Sequence, residues 1–170
     1  PAGAPAWARA VIGAGQPVVV RRALAEPGYV AVGVRGRLRE QRFGAVMPLA
    51  AVQRRVVPEA LCEVISPRDL PALRALDQLR PMLAQEVWGV TGSAGFELAT
   101  GIEALHAQSD LDLLLRTFEP LDRGDAKDLL ALLDTAPCAV DLQLQAPYGA
   151  VALREWAGPS QRAPLKSASA

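Results

Sequence analysis

The stretch Ser109-Asp110-Leu111-Asp112-Leu113-Leu114-Leu115 constrains this chain more than any other. Side chains alternate between the two faces of a strand. Asp110 and Asp112 therefore project from one face, while Leu111 and Leu113 enter a core. Two carboxylates one residue apart repel each other, and a divalent cation relieves that repulsion. Oxygen donors of this kind suit Mg²⁺ or Mn²⁺. A lone D-x-D also fits an exposed strand with two solvated aspartates, so the elements around it decide its meaning.

Two of those elements bear on the question. Val140-Asp141-Leu142-Gln143-Leu144 alternates in the same way, with Asp141 beside Gln143 on the face opposite Val140 and Leu142. If it neighbours the first strand, Asp141 becomes a third carboxylate. Upstream, Trp88-Gly89-Val90-Thr91-Gly92-Ser93 runs from a strand at 86–91 toward a helix. A bend without Cβ lets backbone N–H groups approach a phosphate at the helix N-terminus, and Ser93 adds a hydroxyl.

The rest of the chain reads as an α+β protein. A short helix is expected over 7–12. Strands are expected at 17–24 and 29–39, with 42–47 continuing the same small antiparallel sheet. Within 29–39, Val30, Val32, Val34 and Leu38 fall on one face and Arg35, Arg37 and Arg39 on the other. Residues 1–65 are thus expected to form a small β-rich basic lobe. Ser66 as N-cap and Pro67 at the first position predict a helix that ends before Pro81, with Leu70, Leu73, Leu76 and Leu79 at helical spacing. Further helices are expected over 95–105 and 122–134, and strands at 110–116 and 140–145. Residues 66–170 should therefore form a mixed layer of strands and helices, with a C-terminal extension.

Composition narrows the function classes. Hydrophobic residues make up 51% of the 170, enough for a sizeable core. No apolar run is long enough to span a bilayer. Cys62 and Cys138 are the only cysteines and His106 the only histidine, too few for a Cys/His zinc site. Widely spaced cysteines with no secretory signal predict reduced thiols and a cytoplasmic setting. The formal net charge of +0 disfavours nonspecific nucleic-acid binding. Its distribution is uneven. Residues 21–55 hold 8 Arg against 2 Glu, whereas 95–145 hold 10 acids against 3 bases. Such asymmetry suits a polyanion bridged to the protein by cations, or two solvated faces of opposite sign.

Gly92-Ser93, Asp110-x-Asp112 and the later Asp141 resemble the signature of the DNA polymerase β-type nucleotidyltransferase superfamily. The strings VVVRRA (18–23), VGVRG (32–36), WGVTGSAGFELATG (88–101), SDLDLLLR (109–116), VDLQLQ (140–145) and LREWA (153–157) closely resemble the malonate decarboxylase holo-acyl-carrier-protein synthase family. The spacing from Ser93 to Asp110 is longer than is usual in the superfamily, but normal for this narrower family. The resemblance implies a small β-rich lobe followed by a nucleotidyltransferase-type mixed sheet with helices packed on it. It implies transfer of 2′-(5″-phosphoribosyl)-3′-dephospho-CoA from the triphosphate-activated form, triphosphoribosyl-dephospho-CoA, to a serine of the acyl-carrier protein subunit. Pyrophosphate leaves. Asp110 and Asp112 would bridge two Mg²⁺ ions, and Asp141 would complete the nucleophile-side site and accept the serine proton. Gly92 and Ser93 would hold the terminal phosphates. Arg21, Arg22, Arg35 and Arg37 are expected to bind the donor's phosphates or, with Arg39, an acidic carrier; a solvated surface fits each of them equally well. Neither nucleic acid nor membrane is an expected partner. Two alternatives stay open: transfer of an ordinary nucleotide to another acceptor, and a catalytically dead carrier-binding scaffold.

Overall fold

The computed structural model describes residues 2–159 and 165–167. The chain divides into two compact units, with the boundary between Arg55 and Val56.

The first unit holds helix α1 (Ala6–Gly13) and strands β1 (Val19–Val20), β2 (Tyr29–Arg35) and β3 (Arg42–Pro48), paired antiparallel in the order β1-β2-β3. Val34 is buried with Ala4 and Ala8, and half-buried Trp7, Val11, Val18 and Phe43 pack around them. Two strands are shorter than their periodicity suggests. After Val20 the Ala23 N–H turns back onto the Arg21 carbonyl (3.0 Å), which ends β1 before Arg22. After Arg35 the Gly36 N–H donates to the Gln41 carbonyl, and the Gln41 side chain accepts from the Leu38 N–H. Arg37, Leu38 and Arg39 therefore lie in a closed turn rather than on a continuing strand.

The second unit carries helix α2 (Pro71–Leu83), strand β4 (Trp88–Thr91), helix α3 (Gly92–Thr100), strand β5 (Leu111–Arg116), helix α4 (Arg123–Leu133), strands β6 (Val140–Ala146) and β7 (Gly149–Ala152), and the short helix α5 (Leu153–Trp156). The sheet order is β4-β5-β6-β7. The β5–β6 pair is parallel and both outer pairs are antiparallel, so the fold is α+β with a mixed sheet. A parallel pair needs a crossover, and α4 supplies it. Asp122 caps that helix, accepting from the Gly124 and Asp125 N–H groups. Segment 56–65 belongs with this unit. Its 3₁₀ turn, Pro58–Leu61, lies on β4 so closely that a Cβ on Gly89 would come within 2.3 Å of the Pro58 carbonyl carbon.

One face of the sheet builds the core. Leu111, Leu113 and Leu115 pair in register with Val140, Leu142 and Leu144, and all six are buried. Leu76, Leu79, Leu83, Leu133 and Leu153 join the same core. Burying each such leucine contributes roughly 1.5–3 kcal/mol.

Two helix boundaries depart from the sequence expectation. The Ser66 hydroxyl accepts from the Arg68 N–H in a turn, and α2 starts at Pro71. The helix then continues through Pro81, because burial of Leu83 extends its apolar stripe past the proline. Helix α3 begins at Gly92 and stops at Thr100, with Gly101 as a left-handed cap (φ 73°). Residues 101–105 are not helical. The Thr100 hydroxyl takes the Ile102 N–H, and the Glu97 carboxylate takes those of Ala104 and Leu105. Strand β7 and helix α5 were not anticipated as elements.

Candidate active site

The other face of the second sheet is polar at one end. Thr91 on β4, Asp112 on β5 and Asp141 on β6 are register partners, a row of three across adjacent strands. Partners in register project on the same side of a sheet. At the opposite end the 3₁₀ turn covers Gly89, and Arg116 pairs with Glu59 of that turn. Burial pushes the Glu59 carboxyl up, but the hydrogen bond from Arg116, a backbone hydrogen bond and the Arg116 charge together hold the group below the usual glutamate range. Arg116 is thus engaged away from the aspartates. Asp110 and Asp141 are exposed, and Asp112 is half-buried.

The strand-to-helix bend meets this row directly. Gly92 has φ 60°, and a Cβ there would come within 2.0 Å of Asp112 Oδ2. Only a bare Cα allows the first turn of α3 to lie against that carboxylate. Gly95, one turn on, would place a Cβ 2.7 Å from the Val90 carbonyl oxygen, so the helix also crosses β4 at close range. Ser93 follows Gly92 in the opening turn of α3, where backbone N–H groups lack helical partners. An acceptor-only carboxylate row beside such a turn can serve a cation and an anion together.

Asp110 stands immediately before β5, two residues from Asp112. Its charge adds to the rise of the Cys138 thiol pKa, which burial chiefly causes and the hydrogen bond at Leu111 opposes. Arg154 marks the edge near Asp141. Its guanidinium donates to Asp134 at 2.7 Å, and that bond chiefly raises its pKa; burial opposes the rise, and the charges of Asp134 and Asp141 add to it. A cavity of about 20 Å³, room for a single water, is lined by Asp141, Gln143, Ala152 and Arg154 among others. Gln143 Oε1 is buried with no hydrogen-bond partner.

Among the described residues, no three His, Cys, Asp or Glu side chains are gathered tightly enough to hold a metal ion by themselves. Mg²⁺ is commonly held by one or two carboxylates, with phosphate and water supplying its other oxygens, so a cation at this row would take those oxygens from outside the protein.

The predicted arginines belong to the first unit. Arg21 lies across the Gly33–Gly44 pair of β2 and β3, with its Cδ 3.4 Å from where a Gly33 Cβ would stand. Arg22 and Arg37 are exposed outside the strands, and half-buried Arg35 ends β2 opposite Arg42. Trp156 packs rather than presenting a free ring. Its Nε1 donates to the Leu121 carbonyl, and Arg123 sits 4.8 Å over its centre. Arg154 and Glu97 were missed as contributors. Their only sequence signals were their places in the LREWA and GFELATG strings.

The family model described as phosphoribosyl-dephospho-CoA transferase MdcG C-terminal domain matches residues 60–170, and the corresponding N-terminal domain model matches 1–58. A phosphoribosyl-dephospho-CoA transferase of Pseudomonas fluorescens is 65% identical over 171 residues, covering 99% of this chain and 82% of the relative. Proteins of the same name from Pseudomonas aeruginosa and Azotobacter vinelandii are 57% and 54% identical. They cover 100% and 99% of this chain, and 83% and 82% of their own lengths. No solved structure matches.

Proposed function

Since this chain belongs to the phosphoribosyl-dephospho-CoA transferase MdcG family, and is therefore a transferase, we propose that it moves 2′-(5″-phosphoribosyl)-3′-dephospho-CoA from triphosphoribosyl-dephospho-CoA to a serine of the malonate decarboxylase acyl-carrier subunit. The serine Oγ attacks the donor's α-phosphorus. A new O–P ester forms, the bond to the β-phosphate oxygen breaks, and pyrophosphate leaves. This displacement needs positioning and charge neutralisation rather than a covalent enzyme intermediate.

The supporting observation is the Thr91–Asp112–Asp141 row with the bare Cα of Gly92 against the Asp112 carboxylate. It sets two carboxylates of neighbouring strands beside the opening turn of a helix, as a nucleotidyltransferase requires. Asp110, Asp112 and Asp141 are the residues that would hold Mg²⁺ or Mn²⁺ in a two-ion arrangement. Bound there, such cations would supply countercharge to the triphosphate and lower the pKa of the attacking hydroxyl. Asp141, exposed at the rim, accepts the serine proton. Gly92 and Ser93 present backbone N–H groups and a hydroxyl to the terminal phosphates. Arg21, Arg22, Arg35 and Arg37 supply countercharge for anionic partners, the donor's phosphates or an acidic carrier. The proposed setting is cytoplasmic. No helix among the described residues is long and apolar enough to cross a membrane.

Mass spectrometry of the apo carrier subunit after incubation with this protein, Mg²⁺ and the activated donor tests the reading. A mass increase equal to the phosphoribosyl-dephospho-CoA group on one serine is expected. Modification by plain nucleoside triphosphates instead overturns the donor assignment, and no modification overturns the acceptor.

A further inference from the structure

Asp110 lies outside the β-ladder. The first register pair of β5 with β6 is Leu111 with Val140, and the first bond across is the Leu111 N–H to the Ala139 carbonyl (2.9 Å). That bond pins the peptide after Asp110, and the rest of its orientation is set by what precedes it, the connection 101–109. That connection has no regular secondary structure, yet it is fastened along its length. The Ile102 N–H goes to the Thr100 hydroxyl. Ala104 and Leu105 N–H donate to Glu97 Oε1 at 2.8 and 3.0 Å. His106 N–H goes to the Ser109 hydroxyl and Ser109 N–H returns to the His106 carbonyl.

Glu97 is the anchor of this path. It is 6% exposed, and the same Oε1 takes a third bond, from Arg68 at 2.6 Å. Arg68 also reaches the Leu105 carbonyl, so both backbone groups of Leu105 are held. Burial pushes the Glu97 carboxyl up, but the Leu105 and Ala104 N–H groups and Arg68 together hold it below the usual glutamate range. Its other oxygen, Oε2, is buried without a partner. A buried ion pair stabilises a fold no better than well-packed apolar residues, and an unmatched oxygen makes it worse. Stability alone does not account for a carboxylate here.

We propose that Glu97 is a positioning residue, whose buried carboxylate fixes the 101–109 connection and through it the placement of Asp110 at the catalytic row. Helix α3 then references both aspartates. Its first turn bears on Asp112 through Gly92, and its second holds the approach to Asp110 through Glu97. The inference rests on the assignment of Asp110 to the metal-holding set.

Three measurements test it on the full chain: Mn²⁺ binding by calorimetry, amide hydrogen exchange over 101–110, and transfer kinetics. Glu97→Gln removes the charge. Glu97→Asp keeps the charge near Arg68, but falls short of the loop amides by one methylene. Both should speed exchange at Ala104 and Leu105, weaken Mn²⁺ binding about tenfold and lower kcat at least tenfold, with KM for the donor within about twofold. Asp110→Asn is run beside them. An active Asp110→Asn defeats the underlying assignment. An inactive Asp110→Asn, together with Glu97 variants that keep kcat and Mn²⁺ affinity, defeats the positioning role alone. Failure of both Glu97 variants to fold places the residue in the structural core and also defeats that role.

Discussion

Gly92 and Gly101 bracket helix α3, and both have positive φ, but they differ in what surrounds them. A Cβ at Gly92 collides with Asp112, whereas one at Gly101 meets nothing within 4 Å. Gly92→Ala should therefore destabilise by about 1–3 kcal/mol and abolish most transfer, since backbone strain coincides with displacement of the Asp112 carboxylate proposed to hold the cations. Gly101→Ala should cost about 1 kcal/mol and leave kcat intact. Urea unfolding and carrier modification on both variants check this; equal loss of activity in the two would refute the steric argument. Asp112→Asn should keep the fold, seen by circular dichroism, and lose at least about a hundredfold in rate if the anion neutralises bound cations. Glu97 adds a pH dependence. Its folded pKa is depressed, so its contribution is present above the ordinary glutamate range and lost as pH falls through the lowered value. Unfolding measured stepwise from neutral to strongly acidic pH should show that decline, and Glu97→Gln should flatten it.

At the scale of elements, α2 shows burial overriding a helix breaker. Pro81 removes one backbone donor and sits exposed in the last turn, while Leu79 and Leu83 on either side are buried. Pro81→Ala restores the donor without touching the core. It should raise stability by about 1–3 kcal/mol, read as a higher Tm, with unchanged transfer. In contrast, Leu76→Ala in the same helix opens a cavity in the main core and should cost about 2–5 kcal/mol. The parallel β5–β6 pair bears most directly on the proposed site. It sets Asp112 beside Asp141, and a one-residue slip would turn one aspartate into the core. The leucines that alternate with the aspartates forbid that slip.

For the whole molecule, charge separates along the chain. Residues 21–55 are strongly basic and carry only arginine as cation, while 95–145 are acidic. If the basic segment guides an acidic carrier, kcat/KM for the carrier should fall about tenfold or more between low and high salt, while kcat changes little. Stopped reactions across a sodium chloride series measure this. Insensitivity to salt would remove the steering role from Arg21, Arg22, Arg35 and Arg37.

Local chemistry along the chain was enough to locate α1, the strands around 110–116 and 140–145, the helix capped by Asp122, and the glycine-serine bend. In each, alternation, helical spacing of apolar residues or a breaker acts over a few neighbouring residues. Sequence alone also marked Asp112 and Asp141 as facing away from apolar neighbours. Partnership was beyond its reach. That Thr91, Asp112 and Asp141 form one row depends on strand order and register, which hydrogen bonds between distant segments set. The end of α3 and the path of 101–109 depend on Glu97 meeting backbone donors seven and eight residues on, and the run of α2 through Pro81 depends on a buried leucine beyond it. Such outcomes are decided by which groups are buried together, and burial is a property of the folded chain.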